Sequence, residues 1–456
     1  MSGDSKLLIR GAEALALLEP ERPYLRDGYI LIQDGSIAEI GTGPPDPRVA
    51  EGAEVIDASG KVVLPGFVNA HHHLCQTLTR AYPPAMDAPL FAWLKALYPL
   101  WAELDEEALY LAALVGLAEL ILSGCTTTTD HHYIFTPGLE RAIDIEIEAA
   151  REIGIRFHPC RGSMSLGEEE GGLPPGSVVQ REEEILADSE RLIKAYHDPS
   201  PGAMVRIALA PCSPFSVTPE LMRATAELAR RYGVRLNTHL AETEDEEAFC
   251  LARFGLRPVE YLEELGWLAS DVWITHAVHL NEEEIVRLAE AGVAVAHCPS
   301  SNMRLGSGIA PVVELRKQGI PVGLGVDGSA SNDSSNMLLE IRQALLLQRA
   351  AHGPSALKVR EALEMATLGG ARCLGREDVG RLEVGKAADI AIFDLEELNY
   401  SGAGDPLGAL VLCAPTTVET LIVKGRIVVK DHEIRTIDLE RIERRHREKA
   451  RKLMGR

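Results

Sequence analysis

Residues 62–73 read VVLPGFVNAHHH. A short β-branched, apolar run without helical period gives way directly to three histidines, which predicts a buried strand with imidazoles at its end. Residues i and i+2 of an extended chain share a face, so His71 and His73 point one way and His72 the other. An isolated pair of this kind packs or caps more often than it binds a metal ion. Seven further short apolar runs follow, at 126–130, 155–161, 205–210, 234–239, 272–276, 293–297 and 322–327. Long amphipathic segments separate them, for example 105–122, 219–232, 281–291 and 336–350. Eight strands alternating with helices predict an α/β fold, a (β/α)₈ TIM barrel with its chemistry at the C-terminal strand ends. The open doubly wound alternative lacks its usual glycine-rich phosphate loop after the first strand.

The texture differs at the two ends of the chain. Short strands at 7–10, 29–33 and 37–40 are punctuated by Asp34-Gly35 and by the turn at 41–43. Strands of the same kind return at 389–393, 421–423 and 426–429. They predict a small β-sandwich domain built from both termini, residues 1–64 with 375–456, around a barrel at 65–374. The glycine- and proline-containing stretch 167–176 (GEEEGGLPPG) reads as a loop, a candidate flap over the site.

Composition narrows the function. The 456 residues include 68 acidic and 46 basic ones, a net charge of −22, and 46% apolar residues. That balance supports a large core and argues against a nucleic-acid polymer as partner, since phosphate-backbone binding needs excess Lys and Arg. No window approaches the ~20 apolar residues of a membrane span. The N-terminus has no signal pattern, and the eight cysteines form no CxxC pair, which predicts a reducing cytoplasmic location.

Nine of the 14 histidines fall at the ends of these runs. The second run ends in Asp130-His131-His132, the fifth in His239 with Glu242 three residues on, the sixth in His276 with His279 nearby, the seventh in His297 and the eighth in Asp327. His71, His73, His239 and Asp327 together make three imidazoles and one carboxylate, a donor set for Zn²⁺ or Fe²⁺ with room for a water. Glu242 would stand beside that ion without ligating it, placed to shuttle a proton. His276, which ends its run directly, is preferred over His279 as the group facing the bound water. His131, His132 and His297 read equally well as orienting or as core histidines.

These residues fall within longer motifs: PGFVNAHHH (65–73), THLAE (238–242), ITHAVHL (274–280), HCPSSNMRLGSGIAP (297–311), GLGVDGSASN (323–332) and GRLEVGKAADIAIFD (380–394). Together they resemble the amidohydrolase superfamily, specifically its mononuclear deaminase branch, over nearly the whole chain. The resemblance implies the same barrel and terminal β-sandwich. It also implies metal ligands His71, His73, His239 and Asp327, proton-transfer residues Glu242 and His276, and Asp327 as a further catalytic group. Binuclear members carry a lysine at the end of strand four, where this chain reads ALAPCSPF (208–215), so one divalent metal is expected, Zn²⁺ with Fe²⁺ or Mn²⁺ as alternatives.

The stretches HHHLCQTLTRAYP (71–83), TTTTDHHY (126–133), HPCRGSMSLG (158–167) and APCSPFSV (210–217) are most similar to deaminases acting on 8-oxoguanine. That implies a small heterocyclic substrate bearing an amino group beside a ring nitrogen. Guanine, isoxanthopterin, cytosine-type rings and hydroxy-s-triazines are the alternatives. Four residues are candidate substrate contacts. Gln76 sits at the spacing where guanine deaminases place a glutamine, and Trp93 where similar enzymes place a lid. Arg161 ends the third run, and Cys212 stands where adenosine-type deaminases carry a histidine, a departure that argues against nucleosides. Barrels of this type are expected to form homo-oligomers.

Overall fold

The computed structural model describes residues 6–413 and 416–455. Eight parallel strands close a barrel: β1 (Phe67–Asn69), β2 (Cys125–His132), β3 (Arg156–Ser163), β4 (Ala208–Pro211), β5 (Arg235–Leu240), β6 (Val272–His276), β7 (Ala294–His297) and β8 (Val322–Leu324). Asn69 pairs with Leu324 to close the ring. Small side chains make closure possible. Val68, Ala70, Cys160, Ala208, Ala210, Ala294 and Ala296 fill the lumen around Trp273, while the alternate residues Phe67, Phe157, Leu209, Leu236, Ile274, Val295 and Leu324 pack outward in the helical shell. A fully buried side chain of this size contributes about 1.5–3 kcal/mol. Several intervening helices begin at side-chain caps, such as Asp105 accepting from the amide of Ala108 at 2.7 Å and Asn281 accepting from that of Glu284 at 2.9 Å.

The run at 62–69 is two strands rather than one. Lys61–Pro65 belongs to a seven-stranded sheet and pairs antiparallel with Ile390–Asp394, while β1 starts the barrel. Gly66 is the joint between them, and a Cβ there would lie 2.2 Å from the Thr126 side chain. A four-stranded sheet (Lys6–Ala12, Gly28–Gln33, Ser36–Thr42, Glu54–Asp57) shares one apolar core with the seven-stranded sheet. Ile9, Ile30, Ile32, Val63, Ile390, Ile392 and Ile422 meet there. The helix Leu439–Leu453 does not join these sheets. It returns to the barrel and packs on the helix Glu106–Leu122, with His446 Nε2 3.1 Å from Thr77 Oγ1. No helix of the described residues is long and apolar enough to cross a membrane.

The eighth run also divides. β8 stops at Leu324, and Asp327–Gly328 pairs in parallel with His72–His73 as a two-stranded extension above the barrel mouth. This extension brings Asp327 beside the histidines of the first strand.

Candidate metal centre and active site

Above the barrel the regular alternation ends: the first strand stops at Asn69, and the chain turns between Ala70 and His71 before pairing again at His72–His73. His71 and His73 turn inward at the top of β1, and His239 does so near the end of β5. His239 Nε2 lies 3.1 Å from His71 Nε2 and 3.2 Å from His73 Nε2. Asp327 Oδ1 lies 3.3 Å from His71 Nε2 and 3.4 Å from His73 Nε2. The opposite ring nitrogens are already committed. His73 Nδ1–H donates to the carbonyl of His131 at 2.7 Å, and His239 Nδ1–H donates to that of Cys212 at 2.7 Å. Carbonyl oxygens only accept, so both Nε2 atoms present lone pairs to each other with no hydrogen between them. Burial, and then neighbouring imidazoles, hold both rings well below the usual histidine range, hence neutral. Facing lone pairs at this separation repel unless a cation sits among them. Zn–N bonds of about 2.0–2.1 Å in a tetrahedron separate adjacent ligand atoms by ~3.3 Å, which matches the observed spacing. The donor set therefore fits a divalent cation.

Glu242 and His276 stand beside this centre. His276 Nδ1 meets Asn302 Oδ1 at 2.9 Å, which leaves Nε2 facing Glu242 Oε2 at 3.5 Å and Asp327 Oδ2 at 4.0 Å. Burial, then the nearby charges of Asp327 and Glu246, push the Glu242 carboxyl well above its usual range. Burial lowers His276 to about 4. Burial alone would raise Asp327, but its neighbours outweigh it, hydrogen bonding to His71 foremost, and keep this carboxyl well below its ordinary value. Glu246 accepts from the amides of Ala241 and Glu242, both at 2.8 Å, and so fixes the loop that carries Glu242. Burial thus favours the protonated form at 242, while its neighbours favour the ionised form at 327, the separation of roles that acid–base chemistry needs.

The backbone is strained here. Ala241 (φ 52°), His276 (φ 77°), Ala277 (φ 50°) and Asp327 (φ 61°) all adopt the left-handed conformation at strand ends. Non-glycine residues seldom do so, and such residues cluster at functional sites.

A narrow cavity of about 40 Å³ opens over the centre. Its floor is His73, His239, Glu242, His276 and Asp327, and its walls are largely apolar and aromatic, with Leu90, Leu94, Tyr98, Tyr133, Phe215 and Leu305. Trp93 lines it, held by its indole N–H to the Ala330 carbonyl at 3.0 Å, and Cys212 lines it too, its thiol pushed up to about 12 by burial. A wider cleft of about 420 Å³ lies along the helix Leu439–Leu453, but among the described residues it lacks a comparable set of converging donors.

Two expected substrate contacts are corrected. Arg161 follows the inward-facing Cys160, so it points out of the barrel. Its guanidinium binds Asp188 at 3.0 Å and Gln180 at 2.9 Å and stacks on Phe135 at 3.8 Å. Gln76 is buried one layer behind the wall. Its Oε1 accepts from the amide of Ala330 at 3.3 Å, and its Nε2 lies 3.5 Å from the Tyr133 hydroxyl. His279 turns aside to the Ser307 carbonyl at 2.8 Å. His131 is inward, with Nδ1 3.0 Å from Asn237 Oδ1, while His132 is outward. Tyr133 and Ser331 were missed as wall residues. The signal for Tyr133 was parity, since it stands two residues after the inward-facing His131.

The amidohydrolase family model matches residues 62–428, and the chain belongs to the amidohydrolase family, whose members are metal-dependent hydrolases. It is 56% identical over 431 residues, 94% of this chain and 95% of the relative, to 8-oxoguanine deaminase of Pseudomonas aeruginosa. It is 39% identical to hydroxydechloroatrazine ethylaminohydrolase of Pseudomonas sp. strain ADP, over 90% of this chain and 88% of that one. The crystal structure of the atrazine chlorohydrolase of Arthrobacter aurescens TC1 complexed with zinc is similar too, with a TM-score of 0.93, 37% identity and coverage of 97% of this chain and 100% of that one.

Proposed function

We propose that this protein is a mononuclear, metal-dependent aminohydrolase that converts 8-oxoguanine to uric acid and ammonia. The observation that carries the chemistry is the buried Glu242 carboxyl set 3.5 Å from His276 Nε2 at the edge of an N₃O donor set. The observation that favours the substrate is the 56% identity to an 8-oxoguanine deaminase along 94% of the chain.

His71, His73, His239 and Asp327 would hold the ion. When bound, it supplies Lewis acidity that lowers the pKa of a water from 15.7 towards about 7. Zinc suits three imidazoles and a carboxylate. The chain's own groups do the rest. Trp93 and the apolar wall hold the ring flat and exclude bulk water. His276 Nε2 and Asp327 Oδ2 accept a proton from the attacking water. Glu242 donates a proton to the ring nitrogen beside the carbon under attack, which lets that carbon become tetrahedral. The proton taken from water passes to the amino group, which leaves as ammonia, while the second water proton returns to Glu242 and the ring carbon keeps the oxygen as a carbonyl. Expulsion of chloride from a triazine would need less help from an acid, so the protonated Glu242 favours an amine leaving group.

Residues 1–64 with 375–456 are proposed as the supporting β-rich domain and 65–374 as the catalytic one. Eight cysteines, all free, support a cytoplasmic location. Exposed apolar side chains such as Leu346 and Leu412 support a homo-oligomer, which sedimentation tests. The deciding assay is ammonia release by the zinc-loaded protein from 8-oxoguanine, guanine, isoxanthopterin, cytosine and a hydroxy-s-triazine. Fastest turnover of 8-oxoguanine is expected. If only the triazine releases an amine, the purine assignment is lost.

A further inference from the structure

Behind the metal centre lies a second cluster that the chemistry above does not use. Asp130 and His132 face outward from β2 toward Glu146 on the helix Ala142–Ile153, and all three are fully buried. His132 Nδ1 is 2.9 Å from Glu146 Oε1, and His132 Nε2 is 2.7 Å from the Ile134 carbonyl. The Asp130 and Glu146 carboxyls lie against each other, and Asp130 Oδ1 accepts the amide of Leu74 at 2.5 Å. As fully ionised carboxylates, Asp130 Oδ2 and both oxygens of Glu146 would have no hydrogen-bond partner, and His132 Nδ1 has none either.

Two protons resolve all four atoms. The Ile134 carbonyl can only accept, so His132 carries its hydrogen on Nε2 and offers a lone pair at Nδ1. The 2.9 Å contact must then hold a proton from Glu146 Oε1. Glu146 Oε2 in turn accepts a proton carried by Asp130 Oδ2. The chain of donors runs Leu74 N–H, Asp130, Glu146, His132, Ile134 carbonyl, each link pointing the same way, so each polarises the next. It is neutral throughout, which complete burial demands. Burial raises Asp130 well above its ordinary range, raises Glu146 to about 8 and lowers His132, all consistent with this assignment. A cation among the three is the rival arrangement, but the 2.9 Å contact is a hydrogen-bond distance, shorter than the 3.1–3.4 Å separations at the metal centre.

We propose that Asp130, Glu146 and His132 form a neutral two-proton relay that positions the metal-binding arm. One end grips the amide of Leu74, the residue after His73. The relay also braces β2 where the His131 carbonyl orients the His73 ring. These are positioning residues, and their role rests on the reading of His73 as a metal ligand.

The test uses the full chain with Zn²⁺ as probe and measures affinity by competition with a fluorescent chelator. An amide reproduces a protonated carboxyl, with one donor and one acceptor in the right places. Asp130→Asn and Glu146→Gln are therefore expected to keep zinc affinity within about threefold. Asp130→Ala and the volume-conserving Glu146→Leu are expected to weaken it about 10- to 100-fold, the usual loss for partners that orient ligands. At saturating zinc, kcat of both weakened variants should recover, which separates positioning from chemistry. If Asp130→Ala does not fold, Glu146→Leu and the two amides decide. Amide variants as impaired as the apolar ones, or a second zinc equivalent that Glu146→Gln abolishes, would overturn the neutral relay. Unchanged affinity in Asp130→Ala or Glu146→Leu would overturn the positioning role. Loss of the metal-centre reading looks different: the unaltered protein would take up no zinc, or His73→Ala would bind it as tightly.

Discussion

Replacing Glu242 by Gln tests the proposed chemistry at its narrowest point. The residue is 4% exposed, and the loop beneath it is pinned by two 2.8 Å hydrogen bonds to Glu246, so the amide should occupy the same place. What changes is the transferable proton. A positioned acid is worth 10²–10⁴ in rate, or about 2.7–5.4 kcal/mol at 1.36 kcal/mol per decade. Burial keeps bulk water from substituting, which places the expected loss in kcat in the upper half of that range, about 10³–10⁴. The assay is steady-state ammonia release from 8-oxoguanine by protein whose zinc content has been matched to the unaltered enzyme. The pH profile adds a sign. The folded carboxyl titrates above its unfolded value, so the donor is present at low pH and is lost as pH rises through the raised pKa. The alkaline limb of kcat should vanish in the variant. Over the same interval the native state holds a proton that the unfolded chain has released, so native stability falls with rising pH. Glu242→Gln escapes that loss and should melt no lower than the unaltered protein at pH 8. A variant with full zinc and kcat within tenfold would refute the role of Glu242 as proton donor.

Three further outcomes are expected. Zinc present at 100 times its Kd stabilises the fold by about 2.7 kcal/mol, so chelation should lower the melting temperature, and His239→Ala should be insensitive to chelator in the same scan. Burial raises Glu340 to about 8, so stability should fall between about pH 5 and 8 and level off above; Glu340→Gln should flatten the melting-temperature curve, and an unflattened curve would exclude Glu340 as its source. Arg156 forms a bidentate pair with Asp389, at 3.1 and 3.0 Å, across the seam between barrel and sheets, with both partners buried. Arg156→Ala strands a buried carboxylate and should cost about 3–5 kcal/mol in urea unfolding, whereas a loss below 1 kcal/mol would mean that Asp389 finds another partner.

Much of the site was legible because residues two apart in an extended chain share a face, although the chain turns at Ala70–His71 and at His276 reset the parity of the strands below. His71 and His73 share a face at any register, and each strand end exposes its last inward residue to the mouth. Where parity was not applied, the reading failed. Arg161 ends its run, but with Cys160 in the lumen it had to face the helices. Parity also separates His131 from His132, the one beside the metal centre and the other in the relay. Gln76 could not be placed from spacing, because the short helix Leu74–Thr79 turns it behind the wall. The two-stranded extension that pairs Asp327 with His72 leaves no trace in hydrophobic periodicity, being only two residues long. Glu146 was invisible for another reason. It reads as an ordinary helix glutamate in AIDIEIEAAREI, and only the packing of that helix on β2 makes it a buried acid.

The left-handed residues at the strand ends have a bearing on how this enzyme can be improved. Each non-glycine residue in that conformation costs about 1–2 kcal/mol, and Ala241 and Ala277 carry it without contributing a reactive side chain. A selection for heat tolerance alone would therefore sweep glycine into 241 and 277. The survivors would be sturdier proteins with looser tethers on Glu242 and His276, slow enzymes that no screen for folding would flag.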